Sequence, residues 1–261
     1  MTVLGAIGGA GWLGAALLRA ALRKGILAAS SVWISSRSGQ FAGFEPWPEI
    51  HATQDNAALA AASDIILLTV RPQDIGTLDL DLSGKLVLSV MAMVDMEMLH
   101  QRFGATRIVR AMPNAAAEQC LSFTPLLFSE ACTGEDRALA TAFFEASGEV
   151  AEVRSEDELA YFTGLTGSGP AFLAAFADAM ITDATKQGVS PDIADRAVRQ
   201  LLRGGVGLLV DAPTSPAVMV ETFMGYRGTT AAGLKAMEDG GLKTVLAQGL
   251  AAARKRALGE A

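Results

Sequence analysis

The chain has 261 residues, of which 51% are hydrophobic, 21 are Lys or Arg and 28 are Asp or Glu, giving a formal net charge of −7. That length can bury a full core in one large or two smaller domains, and the acidic balance argues against nucleic acid as a partner. Two Cys and two His provide no disulfide framework, no His-built metal site and no Ser-His-Asp triad.

The longest uncharged runs, Met1–Leu18 and Leu159–Ala177, are split by glycines, and the second also contains Pro170. Neither reads as a membrane span, and no basic segment precedes an apolar core as in a secretory signal. The expectation is a cytoplasmic protein in which Cys120 and Cys132 are reduced. His51 and His100 read as solvated residues beside loops.

In chain order, Val3-Leu4-Gly5-Ala6-Ile7 reads as a short buried strand. It runs into Gly9-x-Gly11-x-x-Gly14, and a helical pattern continues through Leu17, Leu18 and Leu22 to Lys24-Gly25. Strand, Gly-rich turn and helix form the context of a dinucleotide-binding turn. A side chain at Gly9 would obstruct the turn, one at Gly11 would hold the backbone off a pyrophosphate, and one at Gly14 would push helix off strand. The helix N-terminus offers N–H groups and partial positive charge to phosphates. Trp12 and Leu13 stand inside this turn and count with the cofactor-binding residues. A turn that only packs helix on sheet would carry the same glycines.

The second strand, Ser31-Val32-Trp33-Ile34, ends at Ser35-Ser36-Arg37. An acidic residue there would accept from a ribose 2′-hydroxyl and favour NAD(H). Two hydroxyls and a guanidinium favour NADP(H), because Arg clamps phosphate with two donors. Phe41–Ile50 reads as a connection, and Asp55-Asn56 caps a short helix through Ala62. Asp64–Val70 is a buried strand ending at Arg71-Pro72-Gln73, where the ligand crevice of such a sheet lies. Leu86–Val90 and Arg107–Ala111 are further strands, and strands alternating with helices predict a parallel sheet. Met91, Met93, Met96 and Met98 read as core filling, with Met93 the exception just past a strand end. Leu121–Phe128 and Gly148–Val153 are two more strands flanking a helix near Glu135–Ala146.

From about Ser155 the pattern is helical only, which predicts a second domain: residues 1–154 bind dinucleotide and residues 155–261 form a helical unit. Ser168 or Gly169 suits an N-cap and Pro170 an N1 position for a helix from Ala171 to Gln187. Gly188 ends that helix, and Ser190-Pro191 starts another running to about Val210. Asp211–Pro216 reads as a turn. Gly228-Thr229-Thr230 then opens a helix at Ala231, either as a Thr N-cap or as a seat for a carboxylate on free N–H groups.

These motifs together resemble the pyrroline-5-carboxylate reductase family over essentially the whole chain. The resemblance rests on the order and spacing of IGGAGWLG, Ser35-Ser36-Arg37, Arg71-Pro72-Gln73, the run Val109–Asn114, Gly167-Ser168-Gly169-Pro170, and Gly228-Thr229-Thr230-Ala231-Ala232-Gly233-Leu234. Glu238-Asp239-Gly240-Gly241-Leu242 is similar to the family's acidic-Gly-Gly-aromatic segment.

The resemblance implies an α/β protein: an N-terminal Rossmann dinucleotide-binding domain and a C-terminal all-helical dimerisation domain. It implies a homodimer or ring of dimers that reduces the cyclic imine 1-pyrroline-5-carboxylate to proline by hydride transfer from NADPH, with no metal. By residue, it matches Asn56, Val70, Arg71, Pro72 and Ala92 to cofactor contacts. It matches Gly228 and Thr229 to the carboxylate turn, Thr230 to the residue that hydrogen-bonds the ring nitrogen, and Ser168 to the helical part of the site. An iminium carbon is already electrophilic, so the reaction needs positioning more than a strong acid.

The chain also departs from the family. Trp12 stands where Asn is usual and Met93 where Gly is usual. Ala115–Cys120 replaces Thr-Pro-Ala and a Gly-rich run. Met224-Gly225-Tyr226-Arg227-Gly228 replaces Thr-Ser-Pro-Gly-Gly, so Gly225 stands for a Ser that helps hold the carboxylate. Arg227 is a candidate replacement for that contact. Most of these changes fall where substrate would be recognised. The rival readings are therefore a reductase of another imine or carbonyl acid, or a non-catalytic NADP-binding regulator. A β-hydroxyacid dehydrogenase would need Lys with Asn four residues on, whereas Lys186 is followed by Gln187-Gly188-Val189-Ser190.

Overall fold

The computed structural model describes residues 2–210 and 212–260. Expectations that touch Met1, Asp211 or Ala261 lie outside the described residues at those positions. The apolar run at the start forms β1 (Leu4–Ile7), buried throughout. The helix after the glycine turn is α1 (Trp12–Arg23), and it stops where Gly25 takes the left-handed conformation at φ +69°. β2 (Val32–Ser35) lies parallel to β1, and β3 (His51–Thr53) lies parallel to β2. β3 falls beyond the stretch read as a connection. It is three residues long and largely exposed, so it carries no apolar signal, and its His51 stacks on Trp33 rather than sitting in a loop.

Asp55 caps α2 (Asn56–Ala62) by accepting from the N–H groups of Ala57 and Ala58. β4 (Ile65–Leu68) and β5 (Leu86–Ser89) follow, both fully buried. α3 (Met96–Phe103) contains His100, which pairs through Nδ1 with the Ala105 carbonyl and is thus a helix residue rather than a loop one. β6 (Arg107–Ala111), β7 (Ser122–Phe128), α4 (Gly134–Glu145) and β8 (Gly148–Glu152) complete the sheet, whose order is β3-β2-β1-β4-β5-β6-β7-β8.

Alternation along the strands divides the core between the two faces. Leu4, Ala6, Ile34, Leu67 and Leu88 pack with Leu17 and Leu18 of α1 and Phe143 and Phe144 of α4. Ile7, Ile66, Leu68 and Val87 pack with Leu59, Leu99 and Phe103 on the other face. A strand buried on both faces reads as a continuous apolar run. One pair departs from the parallel expectation: β6 and β7 are antiparallel. The connection between them holds only a 3₁₀ turn, Ala115–Gln119, too short for a crossover helix.

The methionines also divide. Met91 is buried and Met96 packs on the core, but Met93 and Met98 are exposed, so core filling accounts for two of the four.

Every element after β8 is helical: α5 (Glu156–Phe162), α6 (Gly169–Lys186), α7 (Pro191–Val210), α8 (Pro216–Gly225), α9 (Thr229–Asp239) and α10 (Leu242–Ala257). Residues 2–168 with 251–260 form one compact unit and residues 169–250 another. In the second unit α6 and α8 bury no residue, and Ala194, Val198 and Ala231 are the buried apolar side chains among the described residues. Large apolar side chains such as Phe176, Leu201 and Val220 are exposed there. Among the described residues no helix is long and apolar enough to cross a membrane.

Candidate functional site

The order of the strands reverses between β1 and β4, and ligands of such sheets bind beyond the carboxyl ends of the strands at that point. The glycine turn lies there. Gly8 adopts φ +77°, and the Gly9 and Gly11 N–H groups donate back to the Ala6 and Gly8 carbonyls at 3.2 and 2.8 Å. A Cβ on Gly9 would stand 2.7 Å from Ala6 Cβ. One on Gly14 would stand 2.8 Å from Thr69 Oγ1 and 3.1 Å from Gly9 Cα, which fixes how closely α1 sits on the turn. Gly11 is the N-cap of α1 and brings no side chain to it, so the first N–H groups of the helix have no side-chain acceptor. Trp12 stands exposed at the first position of α1, and Leu13 packs on the core.

A crevice of about 520 Å³ opens beside this turn. Gly11, Ser35, Ser36, Arg37, Asn56, Val70 and Arg71 line it, seven of the residues singled out from the sequence. Ser35 is buried, and its Oγ accepts from the Gly8 N–H at 3.3 Å, so this hydroxyl holds the turn. Ser36 Oγ lies 3.0 Å from Ser38 Oγ, and Gln54 Nε2 donates to the Arg37 carbonyl at 3.1 Å. The Arg37 and Arg71 side chains are 74% and 67% exposed. A helix N-terminus without a capping side chain, a turn that excludes a Cβ, and two largely exposed arginines fit a dinucleotide carrying a further phosphate.

Ser38, Gln54, Thr69, Asp74 and Thr77 line the same crevice and were not singled out from the sequence. Gln54 follows the unrecognised β3. Asp74 had one local signal, its place three residues after Arg71. Gly9 and Gly14 shape the turn from within, and Pro72 opens the 3₁₀ turn Pro72–Thr77. Ala92 packs on a small cluster of Met112, Leu127, Val153 and Leu159.

The segment that carries Ala92 is tied at both ends by one ion pair. Arg110 Nη2 donates to the Met91 carbonyl at 2.9 Å, its Nη1 pairs with Glu156, and Glu156 Oε1 accepts from the Met96 N–H at 3.0 Å. Burial pulls the Arg110 pKa below its ordinary value, and the Glu156 charge opposes that shift. Within the segment Met93 holds φ +61°. Arg227 holds φ +52°. Both are left-handed conformations in which glycine is the ordinary residue, and both positions are glycine in the family pattern that the sequence resembles.

The helical residues differ from the sequence reading in two places. Ser168 caps no helix: it is helical itself (φ −86°, ψ −15°), and its Oγ donates to the Thr163 carbonyl at 3.3 Å. A π-helical turn, Thr163–Gly167, runs on from α5, so α6 follows without a conventional start. Such turns mark an inserted residue and recur at functional sites. Nor does a Thr cap α9. Gly228 is the N-cap, without a side-chain bond, and Thr229 and Thr230 are the first two helical residues. That end is therefore left with N–H groups that no capping side chain satisfies.

Comparison with known proteins bears on both halves. Residues 156–259 match the family model described as pyrroline-5-carboxylate reductase dimerisation, and residues 3–93 match that for NADP oxidoreductase, coenzyme F420-dependent. The pyrroline-5-carboxylate reductase of Thermus thermophilus is 30% identical over 253 residues, 95% of each chain. The solved structure of a pyrroline-5-carboxylate reductase from Coxiella burnetii superposes with a TM-score of 0.86 at 27% identity, covering 98% of this chain and 97% of that one. The Plasmodium falciparum pyrroline carboxylate reductase, solved with NADP bound, shares the fold at 21% identity, with a TM-score of 0.85 over 99% of this chain and 98% of that one.

Proposed function

Because the chain belongs to the pyrroline-5-carboxylate reductase family, we propose that it reduces 1-pyrroline-5-carboxylate to proline with NADPH. The observation that carries this reading is the 30% identity to the Thermus thermophilus reductase across 95% of both chains. The crevice supports it with a phosphate-ready turn and two exposed arginines.

In this reading NADPH, when bound, supplies the hydride that adds to the imine carbon. The N–H groups opening α1 receive the pyrophosphate, and Gly11 leaves room for it. Ser36, Arg37 and Arg71 receive the phosphate on the ribose, while Asn56, Val70, Pro72 and Ala92 border the rest of the dinucleotide. Gly228 and Thr229 offer backbone N–H groups to the substrate carboxylate, and the Thr230 hydroxyl holds the ring nitrogen, which is already protonated in the iminium and becomes the neutral amine as the carbon gains hydride. The family resemblance assigns Ser168 to the substrate as well. The chemistry asks for placement of two reactants rather than for a strong acid, which suits a chain with two His.

The exposed apolar side chains of residues 169–250 suit burial against a second copy, in a homodimer or a ring of dimers. Free Cys120 and Cys132 suit a reducing, cytoplasmic compartment.

The test is a substrate panel with product analysis. Incubation with NADPH and pyrroline-5-carboxylate is expected to yield proline, one per NADPH consumed. Open-chain oxo acids are expected to give much less product. Preference for an open-chain acid would move the assignment to the rival reductase reading. NADPH binding without turnover of any acid would leave the regulator.

A further inference from the structure

One carboxylate in the crevice gathers two cations from separate parts of the chain. Asp74 Oδ2 lies 3.4 Å from Arg37 Nη2 and 3.4 Å from Arg71 Nε. Arg37 follows β2 and Arg71 follows β4, so no single element brings these guanidinium groups together. Like charges held at one point need an anion between them, and here Asp74 provides it. Its side chain is 21% exposed, far less than either arginine. Hydroxyl and amide groups of Ser36, Ser38, Gln54 and Asn56 line the same space, and Asp74 is the one acidic residue among the described residues lining it.

We infer that Asp74 is a specificity-determining residue, whose carboxylate stands in for an anion beside Arg37 and Arg71 and sets how strongly the crevice prefers a 2′-phosphorylated dinucleotide. The inference rests on the cofactor reading above. An exposed ion pair at this distance is weak, so an arriving phosphate dianion can take over both arginines. It then stands close to the Asp74 charge, and the two anions repel. Removing that charge therefore strengthens binding of the phosphorylated ligand and leaves the unphosphorylated one nearly unchanged. A unit charge a few ångströms from a dianion, screened by water and salt, is worth about threefold to tenfold in affinity.

The experiment titrates the full chain calorimetrically with 2′,5′-ADP and with 5′-AMP, which differ only by the 2′-phosphate. Asp74→Asn keeps the size of the side chain. It also leaves the main-chain bonds of the turn, Asp74 N–H to the Arg71 carbonyl and Thr77 Oγ1 to the Asp74 carbonyl, untouched. The affinity ratio of 2′,5′-ADP to 5′-AMP is expected to rise about threefold to tenfold in D74N at low salt, with the gain shrinking as salt is added. Asp74→Glu, which keeps the charge, is expected to stay within about twofold of the parent ratio. An unchanged or lowered ratio in D74N, with the parent still preferring 2′,5′-ADP, overturns this inference alone. A parent chain with no preference for 2′,5′-ADP overturns the cofactor reading and this inference together.

Discussion

At the scale of single residues, two glycines in one turn do different physical work. Gly14 has no space for a Cβ, which would meet Thr69 Oγ1 at 2.8 Å and both the Cα and the carbonyl oxygen of Gly9 at 3.1 Å. Gly14→Ala should therefore cost about 1–3 kcal/mol of stability by overpacking, read as a lowered urea midpoint. At Gly11 the one close neighbour of a Cβ is the Gly8 carbonyl oxygen at 3.0 Å, and its backbone (φ −66°) suits any residue. Gly11→Ala should keep stability within about 1 kcal/mol while NADP affinity falls about tenfold or more, because the methyl occupies the approach of the pyrophosphate. Equal losses of stability in the two variants, with NADP binding intact in Gly11→Ala, would contradict this division. The glycine spacing was legible because a Cβ at each position would oppose a distinct demand of packing or of ligand approach. Met93 and Arg227 were not legible in that way. They keep left-handed backbones that a side chain ordinarily avoids, so the amino acid conceals the conformation. Asp74 was illegible because its two partners meet it only in the folded chain.

At the scale of elements, the start of α4 concentrates several bonds on one side chain. Asp136 is buried, accepts from the Thr133 N–H at 2.9 Å within a capping box, and pairs with Arg107 Nη1 at 2.9 Å. Asp136→Ala should cost about 2–4 kcal/mol, since it removes a cap and leaves a partly buried guanidinium without its partner. Glu135→Ala, one residue earlier and exposed, should change stability by no more than about 0.5 kcal/mol. Thermal unfolding followed by circular dichroism separates the two, and similar small shifts would refute the role given to Asp136. The central strands were readable because burial on both faces requires unbroken apolar runs such as Ile65–Leu68. β3 escaped because a short exposed edge strand needs no such run. The π-helical turn at Thr163–Gly167 escaped because Thr166–Pro170 carries the ordinary residues of a helix start, while the backbone there continues from α5.

At the scale of the whole molecule, the two compact units differ in how they bury apolar surface. The sheet unit has a core on each face, whereas residues 169–250 leave large apolar side chains in solvent. A monomer rarely keeps such a surface, and the match of residues 156–259 to a dimerisation family accords with oligomerisation. Leu201, 57% exposed on α7, offers a probe. Leu201→Asp should lower the sedimenting mass toward the monomer while leaving helical dichroism unchanged. An unaltered mass would exclude this face from the contact. The α/β plan was legible from the alternation of strands and helices. The antiparallel β6–β7 pair was not, because it depends on what a short connection can span.

The measurement that bears most directly on the central claim is the initial rate of NADPH oxidation when pyrroline-5-carboxylate is added to the purified chain, with NADH alongside. The structure and its family predict rapid turnover with NADPH and a lower kcat/KM with NADH, because Arg37 and Arg71 stand ready for a phosphate that NADH lacks. No NADPH oxidation with this imine, from a chain that binds NADP, would contradict the claim and place the divergence in the segments around Met93 and Arg227.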